Sequence, residues 1–177
     1  MEVLIAIGEG LNAAIVNSVI ILGGADWTKG STEIFKKAYE EFPWFTEGTT
    51  GFVDVEDVAK AMITLMNSQV TAERFVLSAE TVSYKAMFSM IATAFGKKPP
   101  YKKVTPFIAA IVWRLEKIKS LLSGKPAFLT KETAKTAQTK TRFNNAKFLK
   151  FFPEFKYNSL ENSVSRIANE LKLKYDL

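Results

Sequence analysis

The sequence predicts an α/β chain, with its few strands near the start and its second half mostly helical. Three observations carry this. Two short β-branched runs, within Ala13–Leu22 and at Arg74–Ser78, have the length and composition of buried strands. Apolar residues recur every three and four positions along several stretches between and after them. Those amphipathic stretches crowd into residues 79–177, so the chain divides into a sheet-bearing part, 1–78, and a mostly helical part, 79–177. The whole, 177 residues, is the size of one domain and long enough to bury a sizeable core.

The elements follow in order. Glu2–Ile7 reads as the end of a helix, with Gly8 or Gly10 as its C-cap, and Asn12–Asn17 reads as a buried strand. Gly8-Glu9-Gly10-Leu11-Asn12-Ala13 matches the G-x-G-x-x-A dinucleotide fingerprint. The fingerprint must open a crossover helix, however, and Ile15–Leu22 is strand-like and broken by Asn17-Ser18. Gly23–Trp27 is a loop. Lys29-Gly30-Ser31 has the reverse of the order that a phosphate loop needs. Ser31 or Thr32 is expected to cap a helix bearing Ile34, Phe35, Ala38 and Tyr39. Trp44–Thr46 and Phe52–Val53 read as short strands around a turn at Gly48–Gly51. Asp54 is placed to cap the next helix by accepting from the Asp57 amide, with Glu56 and Asp57 favouring its positive end. Ser83–Phe95 is a helix closed by Gly96. Thr105 is expected to cap a long helix through Leu122 and Thr130 a short one reaching Ala137; Asn144–Phe152 is a further helix, and the last helix starts at Ser159.

Composition excludes several chemistries. There is no Cys, hence no disulfide, thiolate nucleophile or thiolate-bound metal, and no His, hence no imidazole base or ligand. Asp54, Glu56 and Asp57 share one helical turn without further ligands, which argues against a metal site. No apolar run reaches the ~20 residues of a membrane span, and Glu2 with no basic flank does not fit a signal peptide, so a cytoplasmic location is expected. The net charge of +6 is unevenly placed. Residues 1–94 carry six basic and twelve acidic side chains, and residues 95–177 carry eighteen and six. The basic half, with Phe143, Phe148, Phe151, Phe152, Phe155 and Tyr157 among its lysines, raises one alternative, a non-catalytic nucleic-acid-binding module. Pro106–Leu122 with Arg114, Lys117 and Lys119 raises another, a membrane-surface helix. The same stripes serve equally well to cover a core.

Three segments, taken together, resemble a known family. They are AAIVNSVIILGGADW at 13–27, GFVDVEDVAKA at 51–61, and LTKE at 129–132 followed by RFNNAKFLKFFPEFKYNSLENSVSRI at 142–167. In this order and spacing they are similar to the C-terminal half of the NAD(P)-dependent epimerase/dehydratase family, the extended short-chain dehydrogenases, with dihydroflavonol-reductase-like members closest. The resemblance implies the C-terminal part of a Rossmann-like fold with a helical substrate-binding region. It also implies an oxidoreductase or epimerase acting on a sugar nucleotide or a small carbonyl compound. That family carries a glycine-rich loop and a Tyr-x-x-x-Lys pair ahead of this segment. None of Tyr39, Tyr84, Tyr101, Tyr157 and Tyr175 has Lys four residues on. The resemblance therefore implies no catalytic residue here, NAD or NADP bound only by the complete enzyme, and a partner half that supplies the nucleotide loop.

By position, Asn17, Ser18 and Val19 correspond to the family's segment that passes the nicotinamide. Asp26, Trp27 and Ser31 fall in its substrate loop, Phe52 and Asp54 at the strand–helix junction of its cleft, and Arg142 where a guanidinium would hold an anionic group. The chain has Ser18 and Gly24-Ala25 where the family usually has Pro and Pro-Gly. A sheet separated from its partner half exposes a strand edge, so the chain is expected to self-associate.

Overall fold

The strand-like run after Gly10 forms two strands that serve two different partners. The structure, a computed structural model, describes residues 2–105, 108 and 135–177. Helix α1 (Glu2–Gly8) is followed by Gly10, whose φ of +103° lets the chain reverse there. Strand β1 (Ile15–Ser18) then runs parallel to β5 (Arg74–Leu77), and β2 (Ile20–Leu22) runs parallel to β4 (Thr49–Asp54). The break is at Val19, whose amide still donates to Leu77 O, 3.2 Å away, while the next residue already pairs with Phe52. The expected strand over 12–17 thus begins later, at Ile15. It is only partly covered, with Asn17 exposed.

Ser31 and Thr32 sit in a 3₁₀ turn (Gly30–Thr32) that leads into helix α2 (Glu33–Tyr39), and neither caps it. Their hydroxyls instead donate back to Ile21 O and Gly23 O, which ties the helix start to the end of β2. Strand β3 (Trp44–Phe45) pairs with β7 (Lys102–Lys103). The glycine stretch expected as a turn is mostly strand, because β4 begins at Thr49 and Gly51 lies inside it. Helix α3 (Val55–Met66) follows directly. Asp54 caps it as expected, although the amide it accepts from is Glu56's, at 2.9 Å. Strand β6 (Glu80–Ser83), not foreseen, lies antiparallel to β4, and its last residue caps helix α4 (Tyr84–Ala94). Gly96, at φ +68°, closes that helix. Helices α5 (Ala146–Phe151) and α6 (Leu160–Tyr175, capped by Ser159) complete the described chain. Thr105 does accept the Ile108 amide, at 3.3 Å. The rest of the helix expected there, its membrane-surface reading and the Thr130 cap lie outside the described residues.

Two cores hold these elements. In the first, Leu22 and Phe52 of the sheet meet Phe35 of α2, Met87 and Ile91 of α4, and Val164, Ile167 and Leu171 of α6. In the second, Val53, Phe75 and Leu77 meet Val58, Ala61 and Leu65 of α3 and Phe148 of α5. Phe75 is enclosed by Phe148, Phe151 and Phe152, with ring centroids 5.2–6.4 Å away. Both cores draw on residues before and after position 78. The aromatic residues that suggested base stacking are largely interlocked here, since Phe148 also meets Phe155 edge-on at 5.0 Å.

Candidate functional site

Parallel strands in an open α/β sheet present their ligand side beyond their carboxyl ends. Here the carboxyl ends of β1 and β5 lie together, and β1 ends in Asn17 and Ser18, with Val19 next. Gly51 of β4 faces them. A Cβ on Gly51 would stand 2.6 Å from Ser78 Oγ, 2.8 Å from Val19 Cγ1 and 3.0 Å from Phe143 Cδ2. Only a glycine lets these three groups converge. Phe143 arrives on a segment pinned to β4: the Thr49 amide donates to Thr139 O and the Thr141 amide to Thr49 O, each at 3.0 Å. The Asn145 side-chain amide donates to Ser78 O. Gly48 makes the docking possible, since a Cβ there would collide with the Ala137 carbonyl.

Arg142 is exposed and stands one residue before Phe143 on this segment. Arg142 has no ion-pair partner among the described residues, so its guanidinium is available to an anion. The Ile15 amide donates to Glu73 O, just before β5, and the Val19 amide to Leu77 O. By the alternation of a strand, the Ser18 amide faces the other way, where no described residue meets it. A cofactor amide is one group such a backbone position can bind.

The remaining expected residues lie elsewhere. Asp26 is exposed and accepts from both the amide and the hydroxyl of Thr28, which hold its carboxyl below the usual carboxylate range. Trp27 stacks on Tyr175 at 4.4 Å and 12° and tilts against Tyr39 at 5.6 Å, so most of its ring is spent on packing. Ser31 is committed to Ile21 O. Phe52 is fully buried in the first core and offers no surface to a ligand. Its expected place on a cleft wall is therefore corrected: the alternation of β4 turns the ring into the core.

Asp54 is also withdrawn from solvent, at 1% exposure. Both of its oxygens accept from Arg166 Nη2, at 2.7 and 2.8 Å, and Oδ1 also takes the Glu56 amide. Burial pushes this carboxyl up, but the Arg166 guanidinium, the Ser163 hydroxyl and the Glu56 amide outweigh it and hold it below the ordinary value. Arg166 Nη1 binds Glu170 and reaches Glu56 at 3.5 Å. The glutamate in turn packs on Gly24, where a Cβ would strike its carboxylate. This ion-pair node fastens α6 to the β4–α3 corner. It is structural, and sequence reasoning missed Arg166, which reads as an ordinary flank residue of α6 and finds its partner 112 positions away.

One turn on, Asp57 is fully buried and accepts from the backbone and side-chain amides of Asn158, at 2.8 and 2.9 Å. Burial, aided by the Asp54 and Glu56 charges, pushes its carboxyl up. Nearby, burial and the Asp57 charge push the Tyr157 hydroxyl up to about 12. Among the described residues no cluster of metal-binding side chains is present, and no helix is long and apolar enough to cross a membrane.

No protein-family model and no curated protein matches the sequence. Solved structures do match the fold. The chain is similar to gox2253, at 23% identity and a TM-score of 0.74 over 98% of this chain and 53% of that one. It is similar to a nucleoside-diphosphate-sugar epimerase from Pseudomonas aeruginosa, at 14% identity and a TM-score of 0.74 over 98% and 52%. It is also similar to UDP-glucuronic acid 4-epimerase from Bacillus cereus in complex with UDP-glucuronic acid and NAD, at 12% identity and a TM-score of 0.66 over 98% and 50%. The chain thus spans about half the length of the solved structures it matches. At these identities the likeness establishes the fold alone, a Rossmann-like α/β fold.

Proposed function

We propose that the chain is the C-terminal, substrate-binding half of an NAD(P)-dependent epimerase, dehydratase or reductase. The observation that carries this reading is the likeness of nearly the whole chain to about half of such structures. The convergence of Asn17–Val19, Gly51 and the Arg142–Phe143 segment at the strand ends supports it. The residues present suit part of a dinucleotide site. The Ser18 backbone would bind the carboxamide of a nicotinamide, and the Asn17 and Val19 side chains would flank it. Gly8–Ala13 does not suit the diphosphate, because no crossover helix follows it. The diphosphate would be held by a glycine-rich loop in a second half of the enzyme, and that half would also carry the acid/base tyrosine. When bound, the nicotinamide supplies hydride transfer.

Within this chain, Arg142 would hold an anionic group of a sugar nucleotide or a carboxylated carbonyl compound. Asp26, Trp27 and Ser31 would act indirectly, by keeping the loop after β2 in place. Alone, the chain would bind substrate weakly and cofactor not at all. The test is a titration of NAD⁺ and NADP⁺ against this chain and against a version extended upstream in its source genome. Saturable binding by an extended version that contains a glycine-rich loop is the expected result. If that version binds neither nucleotide, the reading fails.

A further inference from the structure

The ribbon of β3 and β7 carries exposed aromatic rings among lysines. Trp44 is in register with Lys102, and the Tyr101 and Lys102 amides both donate to Pro43 O, at 3.0 and 2.7 Å. Trp44 is 37% exposed and Tyr101 71%. Lys102 Nζ lies 5.4 Å from the centre of the Trp44 ring and 5.5 Å from that of Tyr101, so one cation serves both rings. Next to them, Lys85 Nζ lies 4.7 Å from the centre of the Phe45 ring, and Lys103 binds Glu47 at 2.6 Å. Lys140 comes alongside through its bridge to Thr49. Lys103, with the Lys140 and Lys85 charges behind it, holds the Glu47 carboxyl below its ordinary value, so three ammonium groups bear on one carboxylate. Of the neighbouring acids, Glu40 is paired with Lys36 and Lys37, and Glu41 accepts the Lys98 amide. Lys85, Lys98, Lys102, Lys103 and Lys140 are all exposed, against Glu41 and Glu47, so the surface is strongly positive.

Large rings left in water beside cations are what a single-stranded nucleic acid engages. Its bases stack on aromatic faces whatever their sequence, and its phosphates lie on the lysines. An acidic polypeptide would use the lysines and leave both rings without a partner. Phe148, Phe152, Phe155 and Tyr157, by contrast, belong to the second core and cannot stack on bases. We propose that the β3–β7 ribbon, with Lys85 and Lys140 at its side, is a binding surface for single-stranded nucleic acid. Trp44 and Tyr101 stack on bases, and the lysines meet phosphates. This surface does not depend on the cofactor reading, which rests on the carboxyl end of β1.

The test is fluorescence anisotropy of a labelled oligouridylate of roughly twelve nucleotides, titrated with the full chain over a range of salt. Uridine monophosphate and polyglutamate serve as competitors. Tyr101→Ala and Lys102→Gln are run alongside, each at an exposed position, with circular dichroism to verify the fold. Saturable binding is expected, with a log–log salt slope of about −3 for roughly four neutralised phosphates. Tyr101→Ala should weaken binding about fivefold or more at an unchanged slope, and Lys102→Gln should make the slope shallower by about 0.7. No binding at low salt, or an affinity indifferent to Tyr101→Ala, overturns the proposal. Polyglutamate competing as well as unlabelled oligonucleotide also overturns it, because the partner would then be an acidic polypeptide. Uridine monophosphate competing equally well does the same, because the surface would then hold a single nucleotide.

Discussion

Replacing Arg166 with Ala would leave the buried Asp54 carboxylate with the Glu56 amide and the nearby Ser163 hydroxyl. Breaking a fully buried pair from one side costs about 3–5 kcal/mol, while an exposed pair contributes ~0–1 kcal/mol. Asp54 is almost wholly buried, but the Arg166 side chain is 31% exposed, so water would partly replace the guanidinium. The expected loss therefore lies between these limits, at about 2–3 kcal/mol. Equilibrium urea unfolding measures it. With a slope of ~2 kcal/mol per M, the midpoint would fall by about 1 M. Glu170→Ala is the control, because that carboxylate is half exposed and its loss should cost roughly 0.5 kcal/mol or less. In a double-mutant cycle, Asp54→Asn and Arg166→Ala should be strongly non-additive. The pH dependence carries a fixed sign. Asp54 binds its proton more weakly folded than unfolded. Its stabilisation is therefore present above the ordinary value of ~3.9 and is lost as pH falls through the folded value, so the gap between wild type and variant should close in acid. A loss below about 0.5 kcal/mol, or additive single effects, would refute the view that this pair fastens α6.

Other outcomes follow from the same contacts. Asp57 has the opposite sign: its folded value is raised, so its contribution is full below the ordinary ~3.9 and declines as pH rises through the folded value. Across that window the stability of wild type relative to Asp57→Asn should fall with rising pH; a difference independent of pH would contradict the burial argument. Gly51→Ala should cost about 1–3 kcal/mol, because the stiff Val19 side chain and the Phe143 ring cannot both retreat. It should also quicken hydrogen exchange at Thr141, whose amide is tied to β4; unchanged exchange would show that the segment bearing Arg142 docks independently of Gly51. Phe148→Ala, at the centre of the second core, should cost ~3–5 kcal/mol, and Phe151→Ala, 41% exposed, about 1 kcal/mol. Equal losses in thermal unfolding would mean that the aromatic cluster does not have Phe148 at its centre.

The sequence by itself determined the periodic and capped parts of this protein. The stripe and cap of α3, the helix starts at Ser83 and Ser159, the Gly96 stop and the strand at Arg74 are each written in a few neighbouring residues. The absence of Cys and His settled which chemistries were excluded before any fold was considered. Tertiary structure alone decided the pairings. The run Ile15–Leu22 has one composition throughout, yet Val19 divides it between β5 and β4, because each half meets a different neighbour. Thr49–Gly51 looks like a turn, but it is strand because β6 pairs with it, from Thr49 with Ser83 to Gly51 with Thr81. Ser31 and Thr32 look like caps, but their hydroxyls are turned to β2. Asn17–Val19 was singled out by the family resemblance, and the structure places it at the carboxyl end of β1. The parts that depend on Gly51 and Arg166 were not legible, since a neighbour 92 or 112 residues away, Phe143 for Gly51 and Asp54 for Arg166, leaves no periodic trace. Local patterns record how a segment satisfies its own backbone and burial; which distant side chain completes a buried charge or fills a missing Cβ is settled only when the elements pack.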